Sequence, residues 1–425
     1  MLRVDRIISA GWLLSADLTK IIRNQSVIID GNIIKDIIPT NKVEDLYKSS
    51  QHEEYLDHML MPGLINTNSQ STLYLHKGKY NKKINNSQIN RLTFELQKNT
   101  HVRNIKLTSD LAICNMIKNG VTTFCDTTFY PEILIDRVLN SGIRSNIGLP
   151  IINKKTIWAK NNEESFSKSL KFYDEFKNEP NITLSLNLQS INNLDNNLAE
   201  KFFAIANEID VPIRINMYQS KSQLESFIKN KKNRPIKYLK TIGVLSKLFT
   251  AINLNNITDD DIKIINKYGV NISNDIGSII LCLKNIDNII KSNLSLNGGN
   301  ILTDGSYDLF DMMHKALLLS KIPSNKKKNI TIKKLLQSIT INGVKSLGLD
   351  DKIGVIKKGF LADIISLKVD SIYRTEEILY NNLENILIST RIENVWVSGK
   401  KILNNAKLVT INEKILYDAY QKYNE

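Results

Sequence analysis

The sequence is poor in cysteine and histidine, two side chains that often bind transition metals. Its 425 residues include three cysteines and five histidines. The cysteines, Cys114, Cys125 and Cys282, are odd in number and widely spaced, which fits neither a disulfide framework nor a paired-cysteine metal site. We therefore expect them to be reduced core residues of a cytoplasmic protein.

Long apolar runs are also missing. No stretch approaches the roughly 18 apolar residues that a membrane-spanning helix needs. Residues 1–6 carry two arginines and one aspartate before any apolar stretch has formed, which is not typical of a signal peptide. These absences predict no membrane partner and a cytoplasmic location.

Positive charge is in excess, but it is not concentrated in one segment. The formal net charge of +14 would by itself suit a protein that binds nucleic acid. The lysines are scattered, however, and a dense run at residues 326–328 falls in a predicted loop. We expect no nucleic-acid partner, and a functional basic patch is the less favoured alternative.

Both ends of the chain show short strands separated by tight turns. Asp30-Gly31 stands between two apolar runs, which is a strong signal for a β-hairpin. Residues 362–367 and 395–400 have the same strand-and-turn character. We predict one small β-sandwich built from both termini, with residues 1–60 and 356–425 as its two parts.

The middle of the chain alternates short apolar strands with amphipathic helices. Eight strands are predicted near residues 60–68, 121–128, 144–151, 183–189, 212–219, 249–256, 270–275 and 300–305. The clearest helices are predicted at residues 107–118, 164–176, 198–207 and 260–267. This order predicts an α/β fold in which residues 61–355 form a (β/α)8 TIM-like barrel, with a doubly wound sheet as the alternative.

Short motifs accompany these elements in a fixed order. They are Met-Pro-Gly-Leu-Ile-Asn at residues 61–66, Gly-Val-Thr-Thr-Phe at 120–124, Val-Pro-Ile at 211–213, Thr-Asp-Gly at 303–305 and Asn-Gly-Val-Lys-Ser-Leu-Gly-Leu at 342–349. Together they resemble the amidohydrolase superfamily, in the branch that contains methylthioadenosine and S-adenosylhomocysteine deaminases and triazine hydrolases. The resemblance covers almost the whole chain.

The resemblance implies a metal-dependent hydrolase that deaminates an adenosine-type substrate, and it implies a homodimer. Members of this family hold Zn or Fe with histidines and an aspartate at the C-terminal ends of the barrel strands. The metal lowers the pKa of its bound water to about 7, so that hydroxide is available as the nucleophile. A glutamate beside the metal acts as general acid and base.

The sequence departs from that family pattern at nearly every metal position. The first two metal histidines correspond to Asn68 and Gln70. The histidines after the fifth and sixth strands correspond to Asn216 and Asn253. The resemblance makes Asp304 the retained metal-site residue after the eighth strand, although an aspartate before glycine also suits a turn or a helix cap.

Two positions with other roles are changed as well. The catalytic glutamate corresponds to Gln219, and a substrate-facing histidine corresponds to Asn187. None of the five histidines stands at a predicted strand end. We expect His76 and His101 to lie on the surface or in loops.

Amide side chains cannot replace these groups. Their oxygens are neutral and suit Ca²⁺ or Mg²⁺ better than Zn or Fe, and Gln219 cannot accept a proton. We therefore predict a catalytically inactive relative with no bound cofactor. The alternatives are a residual hydrolase acting on C–N bonds of an adenosine-type substrate, or a subunit that binds a purine or a partner protein. Both drift and a repurposed polar pocket could have produced the amides.

One arginine is unusual for a barrel interior. Arg214 lies two residues before Asn216 on the predicted fifth strand, so both side chains point to the same face. Without a metal, a buried Asp304 would need another positive charge beside it. We predict an ion pair between Arg214 and Asp304. The alternatives are a pair with Asp126, or an arginine that faces outward.

Overall fold

The computed structural model describes residues 1–80, 86–152, 155–218, 220–280, 282, 286–302, 305–321 and 330–424. The strands are β1 (Leu2–Arg3), β2 (Arg6–Leu14), β3 (Ile21–Asp30), β4 (Ile33–Pro39), β5 (Tyr47–Lys48), β6 (His52–Pro62), β7 (Leu64–Asn66), β8 (Val121–Thr127), β9 (Arg144–Ile151), β10 (Ile182–Leu188), β11 (Ile213–Tyr218), β12 (Phe249–Leu254), β13 (Asn271–Asn274), β14 (Asn293–Leu296), β15 (Ile364–Lys368), β16 (Ile392–Val397), β17 (Lys400–Asn404) and β18 (Lys407–Leu408).

The helices alternate with these strands in the middle of the chain. They are α1 (Val43–Leu46), α2 (Asn86–Asn99), α3 (Val102–Lys118), α4 (Pro131–Ser141), α5 (Asn162–Phe176), α6 (Asn196–Glu208), α7 (Lys221–Lys231), α8 (Pro235–Thr241), α9 (Asp259–Tyr268), α10 (Ile276–Ile280), α11 (Ile286–Lys291), α12 (Leu309–Lys321), α13 (Ile332–Ser338), α14 (Ile341–Ser346), α15 (Glu376–Asn381), α16 (Leu383–Ser389) and α17 (Glu413–Asn424). Short 3-10 helices lie at Thr40–Lys42, Ser71–His76 and Ile191–Asn193.

The eight strands β7 to β14 form one parallel sheet whose spatial order follows the chain. The sheet curls until its first and last strands approach. The hydroxyl of Thr67, directly after β7, lies 3.1 Å from the hydroxyl of Ser295 in β14. A doubly wound sheet would reverse its strand order, and this sheet does not. The predicted (β/α)8 TIM-like barrel is confirmed.

The eighth strand is not where the sequence predicted it. It was predicted at residues 300–305, but it lies at Asn293–Leu296, so that prediction is wrong. Ser295 turns its hydroxyl into the barrel toward Thr67. Residues 301–302 form a turn instead, and the Gly305 amide donates to the Asn300 carbonyl at 2.9 Å. Asp304 therefore comes eight residues after the end of β14, and the strand is followed directly by Asn297.

The helices between the strands begin where the local sequence caps them. All four helices predicted most clearly are confirmed, within α3, α5, α6 and α9. Helix α9 shows the mechanism: the Thr258 hydroxyl accepts from the Asp261 amide, and the Asp261 carboxylate accepts from the Thr258 amide. This reciprocal cap satisfies two backbone donors that the first turn would otherwise leave free.

The N-terminal opening of the barrel is covered by α14. The Ile65 amide in β7 donates to the Ile339 carbonyl just before this helix, at 2.9 Å. The Asn342 side chain donates to the Leu294 carbonyl in β14, also at 2.9 Å. With that end covered, the barrel is left with its C-terminal end as the place where a ligand can enter.

Both termini build a second eight-stranded sheet, here called the terminal sheet, in the order β18-β17-β16-β15-β6-β2-β3-β4. The predicted hairpin at Asp30-Gly31 is confirmed, because β3 and β4 pair antiparallel on either side of it. C-terminal β15 pairs with N-terminal β6. One face of the sheet has an apolar core of its own, to which both ends of the chain contribute.

The terminal sheet runs directly into the barrel. Only Gly63 separates β6 from β7, and a Cβ atom at this position would overlap the side chain of Thr122. A buried ion pair joins the two parts further along the chain. Arg144, at the start of β9, donates to both carboxylate oxygens of Asp363 at 3.1 Å and to the hydroxyl of Ser398 at 2.6 Å.

The three cysteines are buried and unpaired, as predicted. Burial raises the pKa of Cys114 to about 12 and that of Cys125 to about 11, which makes both thiols unreactive. Within the described parts of the chain, every helix is too short or too polar to cross a lipid bilayer.

Candidate functional site at the C-terminal mouth of the barrel

A cavity of about 700 Å³ opens at the C-terminal ends of the barrel strands. Half of its lining residues carry amide side chains, namely Asn68, Gln70, Gln97, Asn187, Gln189, Asn193, Asn216, Gln223 and Asn253. Phe94 and Ile252 provide apolar surface, and Arg91 and Glu95 provide charge from α2. The cavity therefore offers mainly neutral groups that can both donate and accept hydrogen bonds.

The structure brings five of the sequence-predicted site residues together around this cavity. They are Asn68, Gln70, Asn187, Asn216 and Asn253. Asn187, Asn216 and Asn253 lie on β10, β11 and β12, and Asn68 and Gln70 lie in the segment that follows β7, all at the same end of the barrel. Gln219 and Asp304 lie outside the described residues, so their assigned roles stay predictions.

Gln70 is held in place by the protein itself. Its backbone is left-handed, with φ 55° and ψ 43°, which is uncommon for a residue other than glycine. Its side-chain oxygen accepts from the Ile301 amide at 3.3 Å, in the segment that follows β14. The side chain therefore serves as a link between the first and last strands of the barrel.

Asn216 and Asn253 form a hydrogen-bonded pair across neighbouring strands. The Asn253 amide nitrogen lies 3.3 Å from the Asn216 side-chain oxygen. Asn253 also has a left-handed backbone, with φ 55°, a conformation that asparagine adopts more readily than most residues. The Asn253 residue is 5% exposed.

Asn187 is fixed by a neighbour on β8. Its side-chain nitrogen donates to the Thr127 hydroxyl. The carbonyl of the same threonine accepts from the Gln97 side chain at 3.5 Å. Hydrogen bonds to Thr127 therefore hold both side chains in place.

Asp126 is a cavity residue whose importance the sequence analysis missed. It lies on β8 and is 1% exposed. Its carboxylate accepts from the Ser71 amide at 2.5 Å, from the Ser71 hydroxyl and from the Thr127 amide at 2.7 Å. Burial raises the pKa of Asp126, and the hydrogen bonds from Ser71 and Thr127 offset only part of that shift. An aspartate at a predicted strand end was the available signal.

Arg214 points into the barrel, so the alternative of an outward-facing arginine is wrong. It is 0% exposed. Its guanidinium donates to the Thr67 carbonyl and, at 3.4 Å, to the Ser346 carbonyl. Within the described residues its Nε has no partner, and burial lowers the pKa of Arg214. No ion pair with Asp126 is present in the described structure, and the predicted pair with Asp304 stays a prediction.

The described residues of the mouth do not fit Zn or Fe. No group of three or more histidine, cysteine, aspartate or glutamate side chains stands together in the described parts of the chain. At the strand ends the donors on offer are neutral amide oxygens, whereas these metals prefer imidazole, thiolate or carboxylate ligands. The carboxylate of Asp126 is already engaged by Ser71 and Thr127.

The histidines of the chain lie elsewhere. His52 and His58 belong to β6 in the terminal sheet, and His314 on α12 contacts Glu384 at 2.9 Å. His101 caps the start of α3 and is exposed, as expected. His76 ends a 3-10 helix and is half-buried, and burial lowers its pKa.

Comparison with known proteins extends over both parts of the structure. A 5-methylthioadenosine/S-adenosylhomocysteine deaminase of Saccharophagus degradans is 25% identical over 426 residues, which cover 97% of this chain and 94% of that protein. A 5'-deoxyadenosine deaminase of Methanococcus vannielii is 26% identical over 411 residues, which cover 93% and 95%.

The fold has a close counterpart among solved structures. An adenosine deaminase from Xanthomonas campestris with bound zinc superposes with a TM-score of 0.91 at 18% sequence identity, covering 99% of this chain and 98% of that one. The family model described as the amidohydrolase family matches residues 59–402, which include the barrel and, in the terminal sheet, strands β15 and β16. The chain therefore belongs to the amidohydrolase family.

Proposed function

We propose that this chain is a deaminase-like amidohydrolase that has lost catalysis and kept a ligand-binding cavity. The observation that carries the proposal is the set of side chains at the strand ends. Asn68, Gln70, Asn216 and Asn253 surround the cavity at the positions that the family resemblance assigns to metal histidines.

These amides remove the two requirements of metal-assisted hydrolysis together. Without a bound Zn or Fe, water keeps a pKa near 15.7, and little hydroxide forms at neutral pH. The residue that corresponds to the catalytic glutamate is Gln219, and an amide cannot take a proton from water. Hydrolysis of a C–N bond would need a different metal site, so a residual hydrolase is the second candidate.

What the described residues can do is bind a neutral polar molecule. Their amides offer donors and acceptors, and Phe94 and Ile252 offer apolar surface for a flat ring. Two relatives of this chain are named as deaminases of adenosine compounds. An adenosine-type nucleoside is therefore the proposed ligand, and a purine-binding or partner subunit is the proposed role.

Metal content and deaminase activity test the loss of catalysis. The full chain, purified in the presence of Zn or Fe salts, should carry well below one metal ion per chain by elemental analysis. It should release no ammonia from 5'-methylthioadenosine above the rate of a buffer blank. The Saccharophagus degradans relative, prepared in the same way, is the matched control. One tightly bound metal per chain together with turnover would refute the proposal and favour the residual hydrolase.

We further propose that the chain works as a cytoplasmic homodimer. The family resemblance implies the dimer, and three buried, unpaired cysteines suit a reducing compartment. Light scattering of the purified chain should give twice the mass of one chain. A monomer mass at micromolar concentration would contradict the dimer and leave the proposal about catalysis intact.

A further inference from the structure

The Asn216–Asn253 pair consists of two side-chain amides, each of which can donate or accept. Gln70, by contrast, accepts from a backbone amide, which can only donate, so a flip of the Gln70 amide would lose that bond. Asn187 bonds to the Thr127 hydroxyl, which can donate or accept, so that contact does not fix the orientation of the Asn187 amide. Asn216 and Asn253 bond to each other at 3.3 Å. If both amides flip, the roles of donor and acceptor exchange and one N–H···O bond remains.

The pair leaves one donor and one acceptor for a ligand. Asn253 uses its nitrogen and Asn216 uses its oxygen in the mutual bond. Within the described residues the Asn216 nitrogen and the Asn253 oxygen have no further partner, and both residues line the cavity. Asn253 lines the cavity and is only 5% exposed, so a ligand donor in the cavity can take the place of water at its oxygen.

The two arrangements of the pair match two kinds of purine edge. An adenine ring presents an amino donor next to a ring-nitrogen acceptor. The deaminated ring presents a ring N–H donor next to a carbonyl acceptor, which reverses the order. One orientation of the pair complements the first edge, and the flipped orientation complements the second.

We propose that the Asn216–Asn253 pair binds the ring edge of a purine nucleoside and accepts the amino form and the keto form about equally. This inference rests on the proposed function, since it assumes that a nucleoside enters the cavity. A deaminase has to treat these two forms differently, as substrate and product. A catalytically inactive relative whose amide pair can take either orientation would instead bind the nucleoside whether or not its ring has been deaminated.

Calorimetric titration of the full chain tests the proposal. The probes are 5'-methylthioadenosine and 5'-methylthioinosine, and the recovered nucleoside is analysed for conversion. The expected result is a pair of dissociation constants within fivefold of each other. A larger ratio would overturn the inference while leaving nucleoside binding intact. If neither probe binds, both the inference and the proposed ligand are overturned. Conversion of the amino probe would overturn the proposed loss of catalysis.

Two variants test whether the Asn216–Asn253 pair contacts the nucleoside. Asn253→Gly removes the side chain while keeping the left-handed backbone. It should weaken the binding of both nucleosides by roughly two- to tenfold, because one hydrogen bond to the ligand is lost. Asn216→Asp makes both cavity-facing atoms acceptors. The amino probe, with two N–H groups on one nitrogen, should then bind about tenfold more tightly than the keto probe.

A matched substitution outside the cavity is the control. Asn385→Ala changes an exposed asparagine on α16 and should leave both dissociation constants unchanged. Unchanged binding in Asn253→Gly would show that the nucleoside does not reach the pair, and would overturn the inference.

Discussion

Buried charges are compensated in one part of the molecule and left among neutral groups in the other. Where the barrel meets the terminal sheet, Arg144 and Asp363 are both 2% exposed and bonded through two N–H···O contacts. Inside the barrel, Arg214 bonds to backbone carbonyls, and Asp126 bonds to the Ser71 and Thr127 donors. Opposite charges face each other at the junction, and polar neutral groups face the charges inside the barrel.

The difference shows which buried charges stabilise the fold. An ion pair at the junction holds two parts of the fold together, and it satisfies nearly every polar atom that it buries. Arg214 and Asp126 have no such pairing in the described residues. That arrangement is in keeping with the proposed loss of a metal ion, whose positive charge the mouth of an active relative would hold.

The largest effect is expected at the junction. Asp363→Asn removes the negative charge and leaves the Arg144 guanidinium buried beside an amide. We expect the free energy of unfolding to fall by about 3 kcal/mol, measured by urea denaturation, because a buried charge without its partner is strongly destabilising. The double variant Arg144→Met with Asp363→Leu should recover part of that loss. A decrease below about 1 kcal/mol in Asp363→Asn would mean that the junction does not depend on the pair.

A smaller effect is expected inside the barrel. Arg214→Met removes hydrogen bonds to two carbonyls, and it also removes a buried charge that is costly to desolvate. We expect a loss of about 1–2 kcal/mol in the free energy of unfolding, additive with the effect of Asp304→Asn. A loss of about 3–5 kcal/mol that couples strongly with Asp304→Asn would instead establish the predicted Arg214–Asp304 ion pair.

The smallest effect is a difference in pH dependence, with opposite signs in the two regions. Burial raises the pKa of Asp126 above its ordinary value of 3.8, so its contribution to stability is present below that pH and is lost as pH rises through the raised pKa. Burial alone would raise the pKa of Glu53, but Lys401, Tyr55 and Arg6 lower it below 4.5. Its contribution is therefore present above pH 4.5 and lost as pH falls.

Urea denaturation across pH 3–8 checks both signs. Relative to Asp126→Asn, the wild-type chain should lose stability as pH rises. Relative to Glu53→Gln, it should lose stability as pH falls. Two curves with the same sign would mean that the charges at the mouth and in the terminal sheet are compensated in the same way.

Most of the fold could be predicted from periodicity and turn chemistry. The hairpin at Asp30-Gly31, seven of the eight barrel strands and the clearest helices are local patterns, and local patterns are visible in a single sequence. The eighth strand could not be placed, because it has only four residues and turns Ser295 into the barrel. A polar residue facing inward breaks the apolar pattern that marks a buried strand.

The candidate site was predictable only as far as strand ends are predictable. Asn68, Gln70, Asn187, Asn216 and Asn253 could be placed at one mouth because parallel strands all end there. Which amides bond to one another, and which charges lie among neutral groups, depends on contacts between distant segments. Ser71 bonds to Asp126 across 55 residues of sequence, and no local pattern indicates that contact.

The interleaving of the terminal sheet has a consequence for how the chain folds as it is made. β15 pairs with β6 on one side and with β16 on the other, yet about 300 residues separate Pro62 from Ile364. At roughly 5–20 residues per second, a ribosome needs about 15–60 s to cover that distance. During this interval the backbone of β6 has an unpaired edge next to the apolar run from Met59 to Met61. Such an edge can pair with other nascent chains, so the yield of folded protein should depend on chaperones that shield it until synthesis ends.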